Sequence, residues 1–200
     1  MKLLSLGSIR RFGACCLIGA FAVTAVTTAL ADVPWELDLA ESELGLTSTK
    51  NSQISERHTL RFSSGNISAG GKARVEVDLG SIETRIPIRN ERMLKFLFGS
   101  ETSAMVSVDL DPEMIVPLAN GETRSLSPTV LITANNHEVL LPVTLSATVA
   151  DGSKVRVSGS GELDVAALGY RAGIEMLREI AGLKSISLNV PIDFVLVFHD

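Results

Sequence analysis

Apolar and polar residues alternate along most of the chain after residue 32, which is the pattern of β-strands with one buried face. The alternation is plainest in residues 72–79, where Ala73, Val75, Val77 and Leu79 face one way and charged residues face the other. Turn-forming residues interrupt it at short intervals. The predicted strands are residues 35–39, 43–49, 55–67, 72–79, 104–110, 137–149, 154–165 and 186–198. Residues 114–118 and 123–134 are less regular, and Pro112, Pro117 and Pro128 indicate edges or bends there.

Two short stretches change to helical spacing. Residues 89–98 place Met93, Leu94 and Leu97 along one stripe, with Asn90 as the expected N-cap and Gly99 as the stop. Residues 172–181 form the second predicted helix, and Gly182 ends it. Consecutive hairpins with such distinct faces favour the all-β class, as an antiparallel barrel of about eight strands with two short helices.

The first 31 residues have the organisation of a cleaved export signal. Lys2, Arg10 and Arg11 precede an apolar stretch over residues 12–30, and Ala29-Leu30-Ala31 fits the small-x-small cleavage rule. We expect cleavage after Ala31 and a periplasmic protein with one domain over residues 32–200. The alternatives are a membrane anchor, a lipoprotein signal and a twin-arginine signal. Both cysteines lie in this segment, so the mature chain has no disulfide.

The net charge of the chain limits the classes of molecule that we expect it to bind. The whole chain has 18 Lys+Arg and 23 Asp+Glu, a net charge of −5. Because residues 1–31 hold three basic and no acidic residues, the mature chain keeps 15 basic and 23 acidic residues, a net charge of −8. Nucleic acid is therefore not an expected partner, since binding to its backbone requires clustered positive charge.

No grouping of residues predicts catalysis, a cofactor or a metal site. The mature chain has no Cys, no Gly-x-Ser-x-Gly motif and no phosphate-binding loop. Glu56 and His58 share one strand face, which leaves open a surface divalent-metal site or simply a solvated face. His137 and His199 lie far from them in the sequence. We expect a protein that is not an enzyme.

Several motifs, taken in order, resemble the YceI-like family of exported bacterial proteins. They are Trp35-Glu36-Leu37-Asp38, Ser81-Ile82-Glu83-Thr84, Ile88-Arg89-Asn90-Glu91-Arg92-Met93-Leu94 with Phe98 behind it, the hairpin from Asn136 to Pro142, and Val190-Pro191-Ile192. The resemblance covers nearly the whole mature chain. It implies a lipocalin-like antiparallel barrel with an elongated apolar tunnel that sequesters an isoprenoid or other long-chain amphiphile without reacting with it.

Two departures from the family pattern bear on the entrance of that tunnel. Asn90 stands where the family usually has Asp after Arg89, and residues 47–52 replace a His-rich turn. The residues expected to line the tunnel are Val77, Met93, Leu94, Leu97, Val106, Val108, Leu141, Val143, Leu188, Ile192 and Phe194.

Arg89 and Arg92 have two interpretations. They either form part of a solvated helix face or lie at the barrel mouth and pair with a ligand head group. The binary pattern also leaves open whether the barrel is hollow. The alternative function is a structural or partner-binding envelope protein with a packed barrel, and an exposed strand edge would allow a homodimer.

Overall fold

The computed structural model describes residues 35–111, 120–150 and 153–199. The expected signal peptide of residues 1–31, the irregular segment at 114–118 and the turn predicted at Asp151-Gly152 lie outside the described residues.

The described residues form eleven β-strands, two short α-helices and one π-helical turn. The strands are β1 (Trp35–Leu37), β2 (Glu43–Lys50), β3 (Ile54–Ile67), β4 (Lys72–Glu83), β5 (Ser103–Asp109), β6 (Thr123–Leu126), β7 (Thr129–Ala134), β8 (His137–Pro142), β9 (Thr144–Ala150), β10 (Lys154–Asp164) and β11 (Asn189–His199). Helix α1 is Pro87–Met93, the π-helical turn is Leu94–Phe98, and α2 is Arg171–Ile180. The prediction of the all-β class is confirmed.

Three pairs of consecutive segments each act as one strand, so the eleven segments follow eight strand paths. β1 and β2 both lie between β11 and β3. β6 and β7 pair with β9 and β8 in one continuous register, from Thr123 opposite Thr148 to Ala134 opposite His137. Sequence alternation predicted residues 137–149 as a single strand, and the bend expected at Pro128 in the less regular residues 123–134 falls between β6 and β7.

The interruptions within those two paths come from proline. Pro128 separates β6 from β7, and Pro142 ends β8. Proline has no backbone N–H to donate to a neighbouring strand, so a regular ladder breaks beside it. The amide of Val143 nevertheless donates a 3.0 Å hydrogen bond to the carbonyl of Pro128, which keeps the two paths together.

The eight paths pair in sequence order with antiparallel neighbours, and the last returns to the first. β10 pairs with β9 on one side and β11 on the other, while β11 pairs with the path of β1 and β2. The paths therefore close a lipocalin-like barrel, which confirms the predicted architecture.

Both helices lie at the same end of this barrel, which we call the helical end. Helix α1 follows β4, and α2 joins β10 to β11. The hairpin between β2 and β3 also lies there, because the amide of Asn51 donates a 2.9 Å hydrogen bond to the carbonyl of Ser185, beyond α2. Three segments thus surround one opening of the barrel.

Helix α1 begins earlier than the sequence predicted. Its N-cap is Ile86 and Pro87 is its first residue, a position where the missing amide costs no hydrogen bond. Asn90 lies inside the helix, so its prediction as the N-cap is wrong. Its Oδ1 accepts hydrogen bonds from the amide and the hydroxyl of Thr84, at 2.9 and 2.6 Å. Gly99 ends the π-helical turn at φ +63°, as expected of a stop.

The interior contains two groups of packed apolar residues. One includes Leu60, Phe62, Val77 and Phe198, and the other includes residues of β7, β8 and β9. A Cβ at Gly159 would lie 2.4 Å from Cζ of Phe194 on the paired strand. Glycine therefore gives this aromatic ring room to lie across β10, which accounts for a glycine on an inward face.

Candidate functional site

The barrel encloses a cavity of about 530 Å³. Its walls are almost entirely aliphatic and aromatic, and they come from strands all around the barrel together with both helices and the π-helical turn. Val75, Val106, Ile132, Leu141 and Phe194, from five different strands, are among its lining residues. The described barrel is therefore hollow.

Nine of the eleven apolar residues expected to line a tunnel do line this cavity. They are Val77, Met93, Leu97, Val106, Val108, Leu141, Val143, Ile192 and Phe194. Arg89 and Arg92 also lie on its wall. Strand alternation selected most of these residues, because inward-facing positions of a closed barrel all point to one interior.

Leu94 and Leu188 do not line the cavity. Leu94 opens the π-helical turn and packs, half-buried, against the group that includes Leu60 and Phe198. Leu188 lies in a bend, because β11 starts at Asn189 rather than near residue 186. Strand alternation therefore does not fix which way its side chain faces.

The cavity reaches the surface at the helical end. Four of its wall residues are exposed there: Ile86 and Ile88 in and before α1, and Ile180 and Ala181 at the end of α2. We call this opening the mouth. The polar side chains Ser48, Lys50, His58, Arg89 and Arg92 line the cavity beside it.

The carboxylate of Glu56 forms ion pairs with two of the cations at the mouth. Nη1 of Arg89 donates a 2.7 Å hydrogen bond to Oε2 of Glu56, and Nζ of Lys50 pairs with the same oxygen. These contacts, first that of Lys50, lower the pKa of Glu56, so its carboxylate is ionised at neutral pH. None of the ion pairs between described residues includes Arg92. Together, Lys50, Arg89, Arg92 and Glu56 carry a net charge of +2.

His58 is buried beside this cluster, with 3% of its surface exposed. Its Nε2 lies 2.8 Å from the hydroxyl oxygen of Ser48, and its Nδ1 has no hydrogen-bond partner among the described residues. Burial lowers the pKa of His58, the positive charges of Arg89 and Lys50 lower it further, and Glu56 opposes them. The ring is therefore neutral at pH 7.

The position of His58 corrects both interpretations of the Glu56–His58 pair. His58 is buried in the cavity wall, and Glu56 pairs with Arg89 and Lys50 of that wall, so the two residues form neither a surface metal site nor a solvated strand face. Among residues 35–111, 120–150 and 153–199, no three His, Cys, Asp or Glu residues lie close enough together to hold a metal ion. No described helix is long and apolar enough to span a bilayer.

A hydrogen-bond network fixes the helices over the barrel. The hydroxyl of buried Tyr170 donates a 2.6 Å hydrogen bond to Oε2 of Glu101, and Oε1 of Glu101 accepts one from the amide of Asn135. Burial and this carboxylate raise the pKa of Tyr170. The ring of Tyr170 also meets Phe98 edge to face, with centroids 5.9 Å apart. The segment before α2, the π-helical turn and the hairpin between β7 and β8 are thereby joined.

The family model of the YceI-like domain matches residues 35–198, which is nearly the whole of the barrel. This chain belongs to the YceI-like family. No curated protein gives a significant match.

Two solved structures resemble this YceI-like barrel. The first is a polyisoprenoid-binding domain from Saccharophagus degradans implicated in plant cell wall breakdown; it is 32% identical, with a TM-score of 0.77, and the match covers 82% of this chain and 97% of that one. The second is BcnA from Burkholderia cenocepacia, which is 18% identical, with a TM-score of 0.61 and coverage of 80% and 98%. The second likeness shows the shared fold.

Sequence reasoning missed several wall residues of this YceI-like barrel. Ser48 and His58 are polar, so the strand pattern gave no reason to place them beside an apolar cavity. Tyr170, Ile174 and Leu177 come from α2 and the turn before it, which cover the barrel interior. Helical spacing predicted α2 but not the surface that it packs against.

Proposed function

We propose that this YceI-like protein is an exported, periplasmic carrier that sequesters one isoprenoid or other long-chain amphiphile and performs no chemistry on it. The main support for this function is the cavity of about 530 Å³, which has apolar walls and an opening at one end. This volume falls within the range of roughly 300–1,000 Å³ that is usual for small-molecule sites.

The walls suit a flexible hydrocarbon tail. Burying each methylene group contributes about 0.8 kcal/mol, so a prenyl or fatty-acyl chain gains affinity along its whole length. Val106, Leu141 and Phe194 offer the tail no hydrogen bonds, and an apolar chain requires none. A tail that entered at the mouth would lie among the residues that the alternating strands turn inward.

The cations at the mouth suit the polar head group of an amphiphile. Arg92 and Arg89 lie where a head group would emerge, and Lys50 is beside them on the cavity wall. Guanidinium groups bind phosphate or carboxylate oxygens through paired, charge-assisted hydrogen bonds. We therefore assign the head group to Arg89 and Arg92 and the tail to the nine apolar residues.

Similarity to the Saccharophagus domain supports this choice of ligand class. That domain is described as polyisoprenoid-binding, and it shares 32% of its residues with this chain over nearly its full length. The alternative of a packed barrel that serves only as a structural or partner-binding protein is disfavoured by the volume of the cavity. The homodimer remains a prediction.

Native mass spectrometry tests the proposal. The mature chain is exported from a bacterial host, purified without detergent and measured before and after organic extraction. We expect a mass increment that disappears on extraction and that matches a prenyl or fatty-acyl compound in the extract. A single apo mass, combined with no uptake of added prenyl alcohol or fatty acid, would contradict the carrier function.

A further inference from the structure

Large apolar side chains are exposed around the mouth. Of the eight large hydrophobic side chains exposed among the described residues, five lie at the helical end. We call them the mouth rim: Ile54, Ile86, Ile88, Met176 and Ile180. Their exposed fractions run from 37% for Ile180 to 53% for Ile54. Single exposed hydrophobic residues are ordinary, but a group around one opening indicates an interaction site.

The three segments that carry the mouth rim are joined to one another. Glu56, two residues beyond Ile54, pairs with Arg89 of α1. Asn51, in the hairpin before Ile54, accepts a 2.9 Å hydrogen bond at Oδ1 from the amide of Lys184, just beyond α2. The rim is therefore one connected surface rather than five scattered positions.

The mouth rim is continuous with the cavity wall. Ile86, Ile88 and Ile180 are exposed and also line the cavity. An apolar tail that leaves the cavity at this point passes from the wall to the rim along side chains of the same character.

Positive charge accompanies the mouth rim, although the whole chain is acidic. Residues 85–92 contain Arg85, Arg89 and Arg92 and only one acidic residue, Glu91. Lys50 and Lys184 lie on the neighbouring segments. Because salt screens charges beyond about 8 Å at physiological ionic strength, a surface in contact with this rim responds to its local cations.

We propose that the mouth rim docks on an anionic lipid bilayer, so that the cavity opens directly into the lipid. The inference rests on the proposed carrier function, because an amphiphile with a long tail resides in a bilayer and gains nothing from crossing water. Aliphatic side chains enter the boundary between head groups and acyl chains, while nearby Lys and Arg attract anionic head groups. A bilayer is the partner that requires both features beside one opening.

The test measures binding of the mature chain to sedimented vesicles of phosphatidylcholine with or without phosphatidylglycerol. The variant I54S/M176S changes two rim residues that do not line the cavity. We expect it to weaken binding to the anionic vesicles on the order of ten-fold. The control is L140S, since Leu140 lies in β8 and is 68% exposed. It should bind as the wild type does, and high salt should weaken wild-type binding.

A second measurement separates this inference from the proposed function. Uptake of a water-soluble, fluorescently labelled farnesyl probe is measured without vesicles, and it should be unchanged in I54S/M176S. Probe uptake without vesicle binding by the wild type would overturn the docking site and leave the carrier function standing. The docking site would also be overturned if L140S reduced vesicle binding as much as I54S/M176S does. A dimer that the rim substitutions disrupt and that does not bind vesicles would overturn it too. No probe uptake by the wild type would count against the carrier function, whatever the vesicles show.

Discussion

Nη1 of Arg89 lies 2.7 Å from Oε2 of Glu56, and this ion pair joins α1 to the first residues of β3 beside the mouth. The side chain of Glu56 is 36% exposed and that of Arg89 is 23% exposed, so the pair sits at the boundary between cavity and solvent. Lys50 pairs with the same carboxylate. One anion thus positions Lys50 and also Arg89, one of the two arginines to which we assign head-group binding.

Replacing Glu56 by Gln should raise affinity for an anionic amphiphile while slightly lowering stability. The amide keeps an acceptor but removes the charge that competes with the ligand for Lys50 and Arg89. Loss of a partly exposed ion pair costs about 0.2–1 kcal/mol. Binding of farnesyl phosphate and of farnesol, each by titration calorimetry, checks the prediction: only the phosphate should bind more tightly.

Glu43→Gln is the matched control for Glu56→Gln. Glu43 pairs with Arg57 at 2.9 Å on the outer surface of the barrel, away from the cavity wall. It should leave both affinities unchanged. Equal effects of the two substitutions on farnesyl phosphate would show that the mouth cluster does not contact the head group.

His58 should make stability depend on pH. Its pKa in the folded protein lies below the ordinary value of about 6.5, so the unfolded chain binds the proton more readily. The free energy of unfolding should therefore fall as the pH drops below about 6.5 and level off below the folded pKa. Lys50, Arg89 and Glu56 surround the ring, and burial is the largest cause.

Urea unfolding between pH 7.5 and pH 5 measures this effect. His58→Gln should remove the part of the slope that His58 contributes, whereas His199→Gln should retain it because His199 is exposed. Identical pH profiles for the wild type and His58→Gln would contradict the assignment.

Tyr170→Phe should lower the free energy of unfolding by about 1.5–3 kcal/mol, the usual range for a hydrogen bond to a charged group. The substitution removes the 2.6 Å hydrogen bond to Glu101 and leaves the ring in place against Phe98. Thr123→Val is the control, because its hydroxyl meets that of Thr148 at 2.8 Å in an exposed position. Equal losses in the two variants would contradict a role for the network in holding the helices.

Gly173→Ala should also weaken the helical covering of the barrel. A Cβ there would lie 2.6 Å from the carbonyl oxygen of Phe96 and 2.9 Å from Cα of Leu97, so backbone would have to move. Overpacking of this kind costs about 1–3 kcal/mol, which exceeds the gain in helix propensity. Gly70→Ala is the control, since its nearest contact would be 3.8 Å away. A higher melting temperature for Gly173→Ala would contradict the close packing.

Strand alternation was enough to predict the barrel, because the barrel architecture depends only on which residues face inward. Residues 123–134 and 137–149 each proved to be one strand path despite Pro128 and Pro142, since both halves keep one register. Asn90 was misplaced because capping preference is local, whereas its hydrogen-bond partner Thr84 lies just after β4. Proline at the first helical position was the stronger local signal for the start of α1.

The mouth was harder to predict than the wall. Arg89 and Arg92 stood out as a cluster of positive charge, but Glu56 and His58 looked like a solvated strand face. Their position depends on how the first residues of β3 pass beneath α1, which is a long-range contact. Leu188 was assigned inward by extending the alternation of β11 through a bend, in which the hydroxyl oxygen of Ser187 accepts a 3.2 Å hydrogen bond from the amide of Asn189.

A carrier of this kind must hold the ligand's tail inside the barrel. Val106 points into the cavity, and Met105 beside it on β5 is 38% exposed on the outer face. Val106→Trp should weaken equilibrium binding of radiolabelled geranylgeraniol on the order of ten-fold or more, because the indole fills space that the tail requires. Met105→Trp should bind as the wild type does, and both variants should keep the wild-type circular dichroism spectrum. Wild-type affinity in folded Val106→Trp would contradict the central claim that the cavity holds the ligand.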